Sequence, residues 1–325
     1  MRNNRLLWFR RIALAAASLA ACVVVLGAWV RLTDAGLGCP DWPGCYGHLY
    51  PTLAFDSGKA WHEMIHRYFA GTLGLMIASL AVLAIWNRQD PAQPLIPVVG
   101  LFFVVCAQGA LGALTVTLLL KPLIVTSHLL GGLTTLGLLC WLSRTPERRE
   151  VTPNERRLQV FALAGLGVLT LQIFLGGWTS TNYASVACPD FPTCQRSFWP
   201  AMDFRDAFVL WRGLGIDYEG GVLAHPARVA IHFTHRLGAI VAGLTLLSLG
   251  VMSWLDGATR RVKSAGALLS VAVLIQISLG ISTVQWGVPL SIATAHNAGA
   301  ALLVIAIVRL LRALWPNASI RQLSA

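Results

Sequence analysis

Apolar residues along this 325-residue chain collect into eight long runs, not into short alternating stretches. The runs cover roughly 12–30, 62–86, 95–116, 122–142, 158–178, 229–255, 265–284 and 288–311. Each is near the ~20 residues that a helix needs to cross bilayer hydrocarbon. Within lipid, backbone N–H and C=O groups must be satisfied inside the segment, which leaves the helix as the form for such runs. The pattern predicts an all-α polytopic membrane protein with eight transmembrane helices.

Composition agrees with this: 56% of residues are hydrophobic and 12% charged. The formal charge of +11 points to nucleic acid only if the basic residues share one patch. They are instead spread over alternate connections. Arg2, Arg5, Arg10 and Arg11 precede the first run, and Arg88 follows the second. Arg144, Arg148, Arg149, Arg156 and Arg157 follow the fourth, Arg260, Arg261 and Lys263 the sixth, and Arg309, Arg312 and Arg321 close the chain. The positive-inside rule makes that side cytoplasmic, with both termini inside. No nucleic-acid partner is expected. The first run continues into a repeated motif, so we expect it to be a span, not a cleaved signal, and the host membrane to be a bacterial inner membrane.

The chain repeats itself. "LGAWVRLTDAGLGCPDWPGC" (26–45) matches "LGGWTSTNYASVACPDFPTC" (175–194) at an offset of 149. "IHRYFAGTLG" (65–74) matches "THRLGAIVAG" (234–243) at 169. "QGALGALTV" (108–116) matches "QISLGISTV" (276–284) at 168, and "TSHLLGGL" matches "TAHNAGAA" at the same offset. Four ordered blocks imply a duplication. The expected architecture is two four-helix bundles, 1–145 and 155–325, related by a pseudo-twofold axis along the membrane normal. Cysteine-bearing loops lie on the outer, periplasmic side, and the second of them is longer by 20 residues.

Of eight histidines, four obey the repeat: His66, His128, His235 and His296. Each lies near the outer end of its run, so they form two depth-matched pairs, one per bundle. Ionisable groups within a membrane are costly and read first as functional. Two imidazoles from facing helices suit bis-histidine haem ligation. Gly71, Gly74, Gly131, Gly132, Gly238 and Gly299 are expected to make room for a flat macrocycle, or simply for close helix packing. Arg67 and Arg236 directly follow a ligand candidate and are placed to meet a haem propionate or to snorkel to the interface. Gln108 and Gln276 also repeat, as interhelical hydrogen-bonding groups.

Residues 62–66 spell H-E-x-x-H, a zinc-hydrolase pattern. The repeat argues against that chemistry. His62 and Glu63 become Ile231 and His232 in the second half, and only the histidine–arginine pair persists. A third ligand and an open water position are also required, and neither has a clear candidate. Glu63 is the one glutamate placed within a span. It stands one turn before His66 on the same face. A carboxylate beside an iron relays protons or acts as acid–base, which suggests a catalytic first site and an electron-holding second one.

The seven cysteines divide by place. Cys22, Cys106 and Cys140 fall within runs, while Cys39/Cys45 and Cys188/Cys194 lie in the outer loops. The oxidising outer side leads us to expect one disulfide per loop, structural or redox-active.

Taken together, "CPDWPGCYG", "EMIHRYFAGTLG", "TSHLLGG", "HRLGAIVAG" and "ATAHNAGA" resemble the haem A synthase family of cytochrome oxidase assembly, across all eight spans. The resemblance implies oxidation of the C8 methyl group of haem O to the formyl group of haem A, by successive oxygen-dependent hydroxylations. It places Glu63, His66 and His128 at the haem O site, His235 and His296 on a haem b cofactor, and Cys39 and Cys45 on an outer-loop pair linked to activity. It also implies a haem O synthase (farnesyltransferase), cytochrome oxidase assembly factors and a membrane electron donor as partners, and it leaves room for a homo-oligomer. His232 is an additional histidine that competes with His235 for the ligand role, and either His66 or His128 is expected to be labile in turnover. A dihaem cytochrome b relay and a haem carrier are the competing classes.

Overall fold

The computed structural model describes residues 2–50 and 58–316. Arg321 lies outside the described residues. Among those described, nine helices form: α1 (Arg2–Leu32), α2 (Gly58–Trp86), α3 (Leu95–Thr117), α4 (Pro122–Leu142), α5 (Pro153–Thr181), α6 (Phe204–Ala207), α7 (His225–Asp256), α8 (Arg260–Gln285) and α9 (Leu290–Leu314). All except α6 are long and apolar enough to cross a membrane. The chain is a multi-pass membrane protein.

Every predicted run is found, and most extend beyond it. The extra turns are polar: α1 begins at Arg2, α5 at Pro153 and α7 at His225. Hydropathy ends where charge begins, but the helical ladder continues until a local stop. Starts are set by Pro122, Pro153 and Pro226 in the first turn, whose missing N–H costs nothing there. Thr152 and Glu155 add a reciprocal capping box to α5. Some outer ends stop at left-handed residues that repeat with the sequence: Asp34 and Tyr183, Leu119 and Gly287, Leu120 and Val288.

In the first half, α1 packs on α2, α2 on α3, α3 on α4 and α4 on α1. In the second, α5, α7, α8 and α9 close a ring in the same order. The halves meet through α1 on α9, α4 on α5 and α4 on α9. One apolar core runs through both, from Phe9, Ala13, Ala16 and Ala20 of α1 to Ile307, Leu310 and Leu314 of α9. Small α1 residues on one face let helices approach closely, which is how helices associate where lipid removes the hydrophobic drive.

Repeat counterparts touch each other at both ends of this contact. Arg31 donates from Nη2 to the carbonyl of Ser180 at 2.7 Å, and Tyr183 donates its hydroxyl to Asp34 Oδ1 at 2.9 Å. At the opposite end Arg312 reaches the carbonyl of Arg144 at 3.4 Å. That end also gathers Arg10, which donates to Thr145 Oγ1 at 2.7 Å, and Arg261, which pairs with Glu147 at 3.0 Å. The disulfide loops are at the other end.

Candidate functional site

His66 and His128 come from α2 and α4, and His235 and His296 from α7 and α9. Among the described residues these helices stand diagonally across their rings, with no direct contact within either pair. All four lie in the starting halves of their helices, which puts the members of each pair at similar depth. Each imidazole also lies against a glycine of a neighbouring helix. A Cβ at Gly27 would sit 3.0 Å from His66 Cε1, and one at Gly280 would sit 3.0 Å from His296 Cε1. The same distance is 3.1 Å for Gly176 and His235, and 3.5 Å for Gly112 and His128.

These four glycines obey the duplication, and the sequence reading missed them as site residues. The signal was present, since Gly27/Gly176 and Gly112/Gly280 occupy matching places in the quoted repeat blocks. The glycines singled out from sequence divide between open space and close helix packing. Gly71 and Gly74 face open space. Gly131 makes room for the Gln108 amide, Gly299 for Gln276 and Gly238 for Gln172.

The Nδ1 atoms of His66, His128 and His296 are buried and, among the described residues, meet no side-chain partner. At His235, Nδ1 lies 3.0 Å from Gln172 Nε2, which also donates to the His235 carbonyl at 3.0 Å. Val23 stands where the first half would need that glutamine. Paired imidazoles from opposed helices of a bundle, in glycine-cleared seats, fit iron ligation by histidine.

Around the first pair, the residues of the H-E-x-x-H pattern diverge. Glu63 accepts the Cys39 backbone N–H at 2.8 Å through Oε2 and pairs with Arg67 through Oε1. Arg67 also donates to the carbonyls of Asp41 at 2.9 Å and Pro43 at 3.3 Å, and to that of Gly44. Arg236 does the same in the second half, reaching the carbonyls of Thr193 at 2.8 Å and Cys188 at 2.9 Å. Sequence placed both arginines to meet a propionate or to snorkel. Each guanidinium donates to carbonyls of its disulfide loop, and Arg236 Nε is buried, among the described residues, without a partner. His232, the counterpart of Glu63, is buried and donates from Nδ1 to the Ala184 carbonyl at 3.0 Å, turned from the His235–His296 pair.

The loops so clamped are built alike. Disulfides join Cys39 to Cys45 and Cys188 to Cys194. Asp41 accepts the N–H groups of Tyr46 at 2.7 Å and Gly47 at 2.8 Å. Asp190 accepts those of Gln195 at 2.6 Å and Arg196 at 2.9 Å, and also the Thr193 hydroxyl. The Gly47 amide holds the Asp41 carboxyl below its ordinary range, and the Thr193 hydroxyl does so for Asp190. His48 pairs its backbone with Cys45 in both directions.

The longer second loop is the largest departure from the repeat. It carries α6 and covers Trp178, whose indole donates to the Ala207 carbonyl at 2.9 Å. It then crosses to the first half. Lys121, buried at the start of α4, donates to the carbonyls of Arg212 at 2.8 Å and Gly213 at 2.6 Å, and lies 3.6 Å from the Trp211 ring centre. Tyr218 donates its N–H to the Leu119 carbonyl at 3.1 Å. Nothing in the hydropathy pattern marks this strap, because its contacts are backbone carbonyls.

Comparison with known proteins places the chain. A family model described as cytochrome oxidase assembly protein, COX15-CtaA, matches residues 10–308. The heme A synthase of Shewanella oneidensis is 42% identical, covering 97% of this chain and 98% of that one. Those of Rhizorhabdus wittichii and Cereibacter sphaeroides are 26% and 28% identical, over 90% and 94% of this chain and 89% and 88% of their own. The chain belongs to the COX15-CtaA family of cytochrome oxidase assembly proteins.

Proposed function

We propose that this protein is a haem A synthase, an oxidoreductase that converts haem O to haem A at the C8 methyl group. The observation that carries the reading is the near full-length similarity to a heme A synthase, joined to two histidine pairs of which one stands beside a carboxylate. His66 and His128 hold the substrate haem O, and His235 and His296 hold a haem b. When bound, the iron centres supply electron transfer and oxygen activation. Of the two histidines that would hold the substrate, His66 or His128 would be the exchangeable one.

The chain's own residues do the rest. Glu63, fixed by the Cys39 amide and Arg67, presents an anchored carboxylate one turn from His66, suited to hold or pass a proton. The glycine seats fix the imidazole orientation. Arg67 and Arg236 tie each disulfide loop to the helix that carries a ligand.

The two halves, 1–145 and 155–325, are read as bundles related by a pseudo-twofold axis. Supporting this, α1–α9 and α4–α5 are contacts such an axis would exchange, and the counterpart pairs Arg31/Ser180 and Arg144/Arg312 lie where it would pass. The arginines gathered around Thr145 support a cytoplasmic inner end and periplasmic cysteine loops in a bacterial inner membrane.

The test is expression together with a haem O synthase, followed by identification of extracted haems by mass. Haem A, or a hydroxylated intermediate, beside haem b is expected. Haem b alone would identify a dihaem relay instead.

A further inference from the structure

One buried polar atom near the first pair has no task in the reading above. His62 Nδ1 is sealed and, among the described residues, has no hydrogen-bond partner. Its ring stands edge-on to Trp29, with centroids 6.2 Å apart at 87°. His62 lies four residues before His66, on the same face of α2 and about 6 Å nearer the outer end.

The second half shows what the position becomes when no polar group is needed. His62 and Trp29 correspond to Ile231 and Trp178. Both are buried in an apolar cluster with Ala207, Leu223, Ala227 and Ala230, closed over by the longer loop. The first half keeps a half-buried imidazole with its Nδ1 covered where the second keeps a buried isoleucine. A tetrapyrrole substrate carries charged carboxylates, which are expelled from hydrocarbon toward the nearer aqueous end. For His66, eight residues into α2, that end is the outer one. Arg67, the other nearby cation, is already filled by loop carbonyls and Glu63.

We propose that His62 is a substrate-binding residue that hydrogen-bonds a carboxylate of the tetrapyrrole in the first half, with Trp29 holding its ring. This rests on the reading of the first half as the substrate site. It assigns the position a role in telling substrate from cofactor, since Ile231 has no donor to offer.

The test compares binding of iron protoporphyrin IX with its dimethyl ester, which keeps the macrocycle and removes the anions. Both are titrated by Soret absorbance into full-length detergent-solubilised protein that retains its resident haem. The wild type should bind the free acid about tenfold or more tightly than the ester. His62→Ile should bring the two affinities within about threefold while the resident haem signal is unchanged, which excludes misfolding. His62→Gln, which keeps a donor, should restore part of the difference. A wild-type ratio near one, or a ratio undiminished in His62→Ile, would overturn the proposal. Titrations indifferent to His66→Ala would instead overturn the placement of the substrate in the first half.

Discussion

One turn outward of the first ligand histidine the two halves part company. The α2 helix carries His62 and Glu63 there, and α7 carries Ile231 and His232. Glu63 grips its disulfide loop with a carboxylate, while His232 grips the Ala184 carbonyl with a ring nitrogen. Behind the paired histidines the order is reversed: the Gln172 side chain reaches His235 in the second half, and Val23, with no polar side chain, takes that place beside His66 in the first. The second half also seals its outer end with α6. The shared parts are thus those that seat two imidazoles, and the divergent parts are those that decide what stands next to them. The duplication keeps the helix ring and changes a few groups at one end of it, which on the proposed function is enough to part a reacting site from a holding one.

The sharpest break of this comparison is Glu63→Gln. The amide keeps an acceptor for Cys39 but loses the charge that meets Arg67, so haem A formation should fall at least about a hundredfold with haem b retained. Haem extraction measures both, and unchanged haem A output would remove Glu63 from the chemistry.

Next come the glycine seats. Gly27→Ala and Gly280→Ala place a methyl 3.0 Å from an imidazole carbon and should cost about 1–3 kcal/mol of stability, with a shifted haem spectrum. Gly112→Ala, at 3.5 Å, meets ordinary contact and should be close to neutral. Equal thermal and spectral effects at Gly27 and Gly112 would show that the ring positions are not set by these contacts.

Lys121→Met should release the strap by removing two carbonyl partners and the contact with Trp211, at about 1–3 kcal/mol. Faster proteolysis within 208–221 is the expected readout, and an unaltered rate would mean that the strap is held elsewhere.

The smallest effect concerns pH. Asp41 and Asp190 have folded pKa values depressed below the ordinary 3.8, so the stability they add is present above that value and is lost as pH falls below it. Amide exchange at Tyr46, Gly47, Gln195 and Arg196 should rise together in acid. A rise in one loop alone would show that the two turns are not equivalent.

Much of the site was legible because duplication filters residues. His66, His128, His235 and His296 stand out from eight histidines only when the halves are aligned, and the same alignment dissolves the H-E-x-x-H pattern. The glycine seats passed the same filter but were overlooked, since a glycine's purpose lies in the side chain it admits from another helix. Arg67 and Arg236 were read from sequence as propionate partners or snorkelling groups. The loop carbonyls they also hold lie 23 to 48 residues away and carry no residue-specific signal.

By itself, the sequence determined the eight spans, the duplication, the four histidines and the two cysteine pairs. Each follows from a local rule: apolar length against bilayer thickness, internal periodicity, or the cost of an ionisable group in lipid. Tertiary structure alone decided which glycine faces which imidazole, which loop carbonyls each arginine holds, that the second loop straps the first half through Lys121, and that His62 Nδ1 meets no partner among the described residues. Those outcomes depend on which helix faces meet and on backbone carbonyls that every residue offers alike, so they exist only once the chain is packed.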